Sequence, residues 1–120
     1  MNAETIRSWA LALPDTDEGF PFGPDTLIFK VAGKMFLALS LDDSPPRFNF
    51  KAPPEVHVEL RERWPAVMPG YHMNKQHWST VVLDGSVPPA MLQQWVEGSW
   101  ASVVAGMPAA ERRRLQALRG

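Results

Sequence analysis

Alternation and helical spacing divide the chain cleanly. Over residues 3–13, Ile6, Trp9, Ala10 and Leu13 recur at the spacing of one helix face, with Asn2 placed to cap the start and Pro14 to stop it. The pattern then switches to period two. Thr26 to Ala32 sets Leu27, Phe29 and Val31 against Ile28 and Lys30. Met35 to Leu41 aligns Met35, Leu37, Leu39 and Leu41 toward a core. Arg47 to Lys51 opposes Phe48 and Phe50 to Arg47, Asn49 and Lys51. The turns between them are short: Ala32-Gly33-Lys34, then Asp42 to Pro46. Three strands joined this way predict an antiparallel meander. Before them, Asp15 to Gly19 reads as an acidic loop. Phe20-Pro21-Phe22-Gly23-Pro24 reads as a short edge strand or ordered loop whose phenylalanines pack on the core.

Helical spacing returns after Pro53-Pro54, with Val56, Leu60 and Trp64 as a narrow stripe that ends at Pro65. Residues 77–83 predict one more strand, with Trp78 anchored in the core. Pro88-Pro89 opens a long helix built on Leu92, Trp95, Val96, Ser99 and Val103, and Gly106 closes it. A last helix follows Pro108 with only Leu115 and Leu118 as large apolar residues, so it packs lightly. Strands grouped between helices imply an α+β fold: one antiparallel sheet with helices packed on one face, in a single domain over residues 1–120.

Composition adds limits. At 120 residues with 45% hydrophobic side chains and a mean hydropathy of -0.20, the chain has ordinary globular character. There are no cysteines, which excludes disulfides and thiolate chemistry. No apolar run approaches the ~20 residues of a membrane span, and the start of the chain shows no secretory leader, so a cytoplasmic protein is expected. The net charge of -1 gives no global nucleic-acid signature. Its distribution is uneven. Residues 1–29 carry Arg7 against five acids, whereas residues 30–80 carry seven Lys and Arg against five acids, together with all three histidines.

Two regions could carry chemistry. If helices cover one face of the sheet, the other presents Lys30, Arg47, Asn49 and Lys51, with Lys34 at the hairpin end. A wet sheet face commonly looks like this, yet the same cations could grip phosphates. The second region runs from Pro69 to Val81 and crowds Tyr71, His72, Asn74, Lys75, His77 and Trp78 together. Its structural reading is a Pro69-Gly70 turn, a short cap made by Asn74 and the start of a strand. Its functional reading is a set of donors beside the basic face. His72 and His77 have no neighbouring carboxylate or thiol to complete a metal site. Ser79 projects to the same side as His77, but neither an orienting acid nor an oxyanion donor can be named. No catalytic residue, metal or cofactor is therefore assigned.

The run Phe29 to Phe36, the pair Phe50-Lys51 and above all His72-Met73-Asn74-Lys75-Gln76-His77-Trp78-Ser79-Thr80-Val81 resemble the MmcQ/YjbR-like proteins. Leu83-Asp84-Gly85 and Ser99-Trp100 fit as well, although tyrosine is commoner at the position of Trp100. The resemblance implies a fold similar to frataxin (CyaY-like) and to type III secretion chaperones, in small bacterial proteins. It also implies a proposed DNA-binding role in a double-wing arrangement, and it brings no catalytic residues. The expected function is thus a non-enzymatic DNA-binding protein using Lys30, Lys34, Arg47, Lys51, His72, Asn74, Lys75 and His77. A chaperone-like protein-binding module is the alternative. Frataxin-type metal binding through the acids at 15–18 and Asp25 is a third reading.

Overall fold

The computed structural model describes residues 1–120. The elements are α1 (Ala3–Leu11), β1 (Thr16–Gly19), β2 (Thr26–Val31), β3 (Lys34–Ser40), β4 (Arg47–Lys51), α2 (Pro54–Arg63), β5 (Val67–Pro69), β6 (Trp78–Val82), α3 (Pro89–Ala105) and α4 (Ala109–Arg119). The six strands form one sheet in the order β1-β2-β3-β4-β6-β5, antiparallel throughout. The architecture is α+β, as the patterning predicts.

Local rules account for the element ends. The Asn2 side chain accepts the Thr5 amide at 3.0 Å and caps α1. Prolines stand in the first turn of α2 and α3, where no amide partner is missed. The β2–β3 hairpin turns on Ala32 and Gly33 alone, both at positive φ (48° and 81°), so the turn matches the twist of the flanking strands.

The core lies on one face of the sheet. Leu27, Phe29, Val31, Leu37, Leu39, Phe48, Phe50 and Val81 point into it. α3 crosses β2, β3 and β4 and supplies Leu92, Trp95, Val96, Trp100 and Val103. Trp95 stacks on Phe50 with ring centroids 5.3 Å apart and planes 10° from parallel. α1 and α4 pack on α3, and Leu115 fixes α4 while Leu118 remains exposed.

A β-bulge explains the largest departure from simple alternation. Phe29 pairs with Leu37 but Lys30 pairs with Met35, so Phe36 is the extra residue. Phe36 consequently joins the core and Met35 turns to the opposite face, reversing the expectation for Met35. The disturbed ladder is repaired from α3. Ser99, fully buried, donates to the Phe36 carbonyl at 2.5 Å and accepts the Lys51 amide at 2.7 Å. Leu41, also expected inside, lies beyond the end of β3 and is exposed.

Three further expectations are corrected. The acidic loop is β1, an edge strand held by Arg7, whose guanidinium grips both oxygens of Glu18. Phe20 and Phe22 do not pack on the core, because they sit in the tight turn between β1 and β2 and are 49% and 77% exposed. Trp78 pairs with Lys51 on the face away from the core, where it is half-buried. β5, three residues ending in Pro69, forms the other edge.

Candidate functional site

The face of the sheet opposite the helices carries two distinct features. Its middle is apolar, because Ile28 and Ala38 pair across β2 and β3 and Met35 has been turned to this side by the bulge. The expected wet, polar face is therefore reduced to Lys30 and the outward residues of β4, and Ile28 and Ala38 are almost entirely covered.

That cover comes from two loops. Residues 20–25 bring Phe22 to one flank. The 70–77 loop brings Tyr71, His72 and Met73 to the other. Between them is a groove of about 600 Å³ over Thr26, Ile28, Met35 and Ala38, with Ser40, Asp43, Arg47 and Asn49 at its polar end. Half of the chain's exposed large apolar side chains (Phe20, Phe22, Leu41 and Tyr71) belong to the segments flanking this face.

The 70–77 loop is fastened from both sides of the sheet. On the groove side, Asn49 Nδ2 donates to the Tyr71 carbonyl at 3.1 Å, Thr80 Oγ1 donates to Asn49 Oδ1, and the Tyr71 amide donates to Thr80 Oγ1. Asn74 Oδ1 accepts the amides of Gln76 and His77, so Asn74 caps the turn as its structural reading predicts. Gly70 is required for close approach: a Cβ there would lie 2.9 Å from both Cβ and the carbonyl oxygen of Trp78. From the core side, α2 reaches in. Arg61 Nη2 donates to the carbonyls of Lys75 at 2.6 Å and Trp78 at 2.8 Å, and Nε donates to Ser79 Oγ at 3.3 Å. One turn earlier on the same helix face, His57 Nε2 donates to the His77 carbonyl at 2.8 Å while Nδ1 accepts from Ser79 Oγ at 2.5 Å. Burial pushes the His57 imidazole below its ordinary value, and the nearby Arg61 charge adds to this against the opposing bond to His77. The neutral ring with Nε2 protonated satisfies both partners. The serine partner is thus His57 and not His77. With Ser79 and His57 at 0% and 1% exposure, the pair is closed to any substrate.

The predicted site residues divide between two ends of this outer face. Arg47 and His72 line the groove. His72 adopts φ 60° and packs against Tyr71, ring centroids 4.0 Å apart with the planes tilted by 49°. At the other end the strand register gathers lysines. Lys30 pairs with Met35 and Lys51 with Trp78 on the outer face, whereas Lys34, the first residue of β3, pairs with core-facing Val31 and leaves the same end of the sheet toward the helix side. The Ala52 amide donates to the His77 carbonyl, which sets His77 at this end, and Lys75 belongs to the same loop, its Nζ donating to the Gly70 carbonyl at 3.4 Å. These are all four lysines of the chain, and none forms an ion pair. The six ion pairs all use arginines: Arg7, Arg47, Arg114 and Arg119. Asp15 and Glu18, which the metal reading would use, are spent on Arg114 and Arg7. No group of three His, Asp or Glu side chains is arranged to hold a metal ion.

Phe22, Met35, Ala38 and Asp43 are groove residues that sequence reasoning did not single out. Phe22 carried a usable signal, since an aromatic residue between Pro21 and Gly23-Pro24 has little freedom to reach a core. Met35 carried none, because the bulge that turns it is a property of pairing.

Comparison with known proteins agrees with this architecture. The crystal structure of Deinococcus radiodurans protein DR2400, a DUF419 domain, superposes with a TM-score of 0.89 at 40% identity, over 96% of this chain and 88% of that one. A Pseudomonas syringae protein, structural-genomics target PsR293, superposes with a TM-score of 0.72 at 27% identity, over 82% of this chain and 96% of that one. The uncharacterized protein YbdF of Escherichia coli O157:H7 is 34% identical over 113 residues, covering 94% of this chain and 93% of its own length. The uncharacterized protein YjbR of Escherichia coli K12 is 29% identical over 115 residues, covering 96% and 98%. The YjbR family profile matches residues 11–102, which span the sheet, the 70–77 loop and most of α3, and the chain belongs to the YjbR family.

Proposed function

We propose that this chain is a non-catalytic DNA-binding protein that takes phosphates at the lysine end of the outer sheet face. One observation carries the reading: Lys30, Lys34 and Lys51 come together at the β2–β3 hairpin end of the sheet, and no lysine of the chain is held in an ion pair. Lysines outside ion pairs keep their charge available for phosphate and release counterions on binding. Lys30, Lys34, Lys51 and Lys75 make the contacts, with His77 beside them. Asp17, opposite Lys30 in the register, limits the patch and keeps its field local. The acidic front of the chain has the same effect and accounts for a pI of 6.3 in a protein with a basic end.

The closed Ser79–His57 pair supports a binding role over a hydrolytic one. The chaperone-like alternative rests on the exposed aromatics, but these flank an open groove of small-molecule size, not a flat apolar surface.

Fluorescence anisotropy with a labelled duplex tests the proposal. Four phosphate contacts predict a log–log salt slope of roughly -3 to -4. Reversing Lys30 and Lys51 to glutamate removes half of that slope and most of the affinity. Absence of binding at low salt, or binding indifferent to salt, refutes the reading.

A further inference from the structure

The groove runs along the outer face from Thr26, Ser40 and Arg47 as far as Met35, the partner of Lys30, and its lining includes none of the four lysines. Its volume of about 600 Å³ falls within the range of small-molecule sites. Its floor is apolar, with Ala38 as the small residue between Ile28 on β2 and Asn49 on β4. Both flanks carry an exposed aromatic ring, Phe22 at 77% and Tyr71 at 65%, the latter with the His72 ring against it.

The polar end holds one cation with unused donors. Arg47 makes no hydrogen bond within the chain, although its side chain is two-thirds covered, and its Nε is shut from solvent without an acceptor. The Asp43 carboxylate approaches Nε at 3.4 Å but is itself engaged by the Ser40 hydroxyl at 2.5 Å. An Nε–H shut from solvent without a hydrogen-bond acceptor costs free energy that a ligand carboxylate would recover through a forked pair of bonds. Asp43 is the only acidic group in the lining and sets the charge the site accepts. One negative charge on the ligand is matched by Arg47, whereas a second would face Asp43 unopposed.

From these features we infer that the groove binds a small flat aromatic monocarboxylate, its ring over Ala38 between Phe22 and Tyr71 and its carboxylate on Arg47. This function is separate from DNA binding. It adds a ligand site on the same sheet face, lined by none of the four lysines.

Calorimetric titration with naphthalene-2-carboxylate and with the uncharged naphthalene-2-carboxamide tests it. The acid binds at least tenfold more tightly than the amide. Arg47→Gln brings the acid down to the level of the amide and leaves the amide unchanged. Asp43→Asn tightens the acid several-fold. Ala38→Phe fills the floor and abolishes both, and its circular dichroism spectrum reports whether the fold is intact. Should that variant misfold, the acid–amide comparison in Arg47→Gln decides alone. The K30E/K51E protein retains full affinity for the acid, which separates this site from the lysine end. Equal binding of acid and amide, loss of the acid in K30E/K51E, or acid binding that survives Arg47→Gln overturns the inference.

Discussion

Arg61 is the strongest lever on the 70–77 loop. Its guanidinium holds two loop carbonyls and the Ser79 hydroxyl from the core side of the sheet, through bonds of 2.6, 2.8 and 3.3 Å. A hydrogen bond to a charged donor is worth about 1.5–3 kcal/mol. The three do not sum. The Lys75 carbonyl is exposed and turns to water, and the Trp78 carbonyl keeps the Gly70 amide at 3.1 Å. What remains is one bond in a partly buried setting and a weakened second, so Arg61→Ala costs about 2 kcal/mol. Urea unfolding reads this as a midpoint lowered by ~1 M for a slope near 2 kcal/mol/M. Arg61→Lys keeps the charge but offers a point donor in place of a fork, and recovers less than half. Amide hydrogen exchange localises the effect: Gly70, His77 and Trp78, whose amides bond within the loop, exchange faster, while Phe29 and Phe48 follow global stability. A loss below about 0.5 kcal/mol, the level of a plain surface substitution, refutes the claim that α2 fastens the loop. Unchanged exchange at residues 70–78 refutes it equally.

Three more outcomes follow from the same packing. His57 has a folded-state pKa below the ordinary imidazole value of 6.5, so the unfolded chain binds its proton first. Its contribution to stability is present above pH 6.5 and declines as pH falls through the window down to the folded pKa; urea midpoints across pH 7 to 5 show this slope, and His57→Gln flattens it. Ser99→Ala leaves the Phe36 carbonyl and the Lys51 amide without their partner and costs about 1–3 kcal/mol in thermal or urea unfolding. Gly70→Ala drives a Cβ into Trp78 and costs about 1–3 kcal/mol, whereas Gly106→Ala, whose Cβ meets only the Val103 carbonyl at 3.6 Å, stays close to wild type.

Much of the fold was legible because it rests on local chemistry. The prolines that open α2 and α3, the Asn2 cap and the Ala32-Gly33 turn are all written in short windows of sequence. β1 was not legible. Thr16 to Gly19 carries no apolar alternation, being an edge strand anchored by an ion pair from α1. The three residues of β5 are too few to show a period. The candidate site was half legible. The His72–Trp78 run stood out by composition, and the lysines of β2, β3 and β4 by alternation. The groove depends on a bulge at Phe36 and on where two loops come to rest, and pairing decides both. The role of His57 was not legible for a related reason: it is fixed by Ser79, 22 residues away.

The two ends of the sheet are the short strands β1 and β5, four and three residues long. β1 carries Asp17 and Glu18, and β5 finishes on Pro69, which has no amide hydrogen to offer. A second sheet approaching either side meets charge or a missing donor before it can add a strand. The apolar middle of the outer face is therefore shielded from polymerisation by its margins. The protein can expose Phe22 and Tyr71 for recognition at high concentration without seeding fibrils, and Pro69 together with Asp17 is where that protection would be lost first.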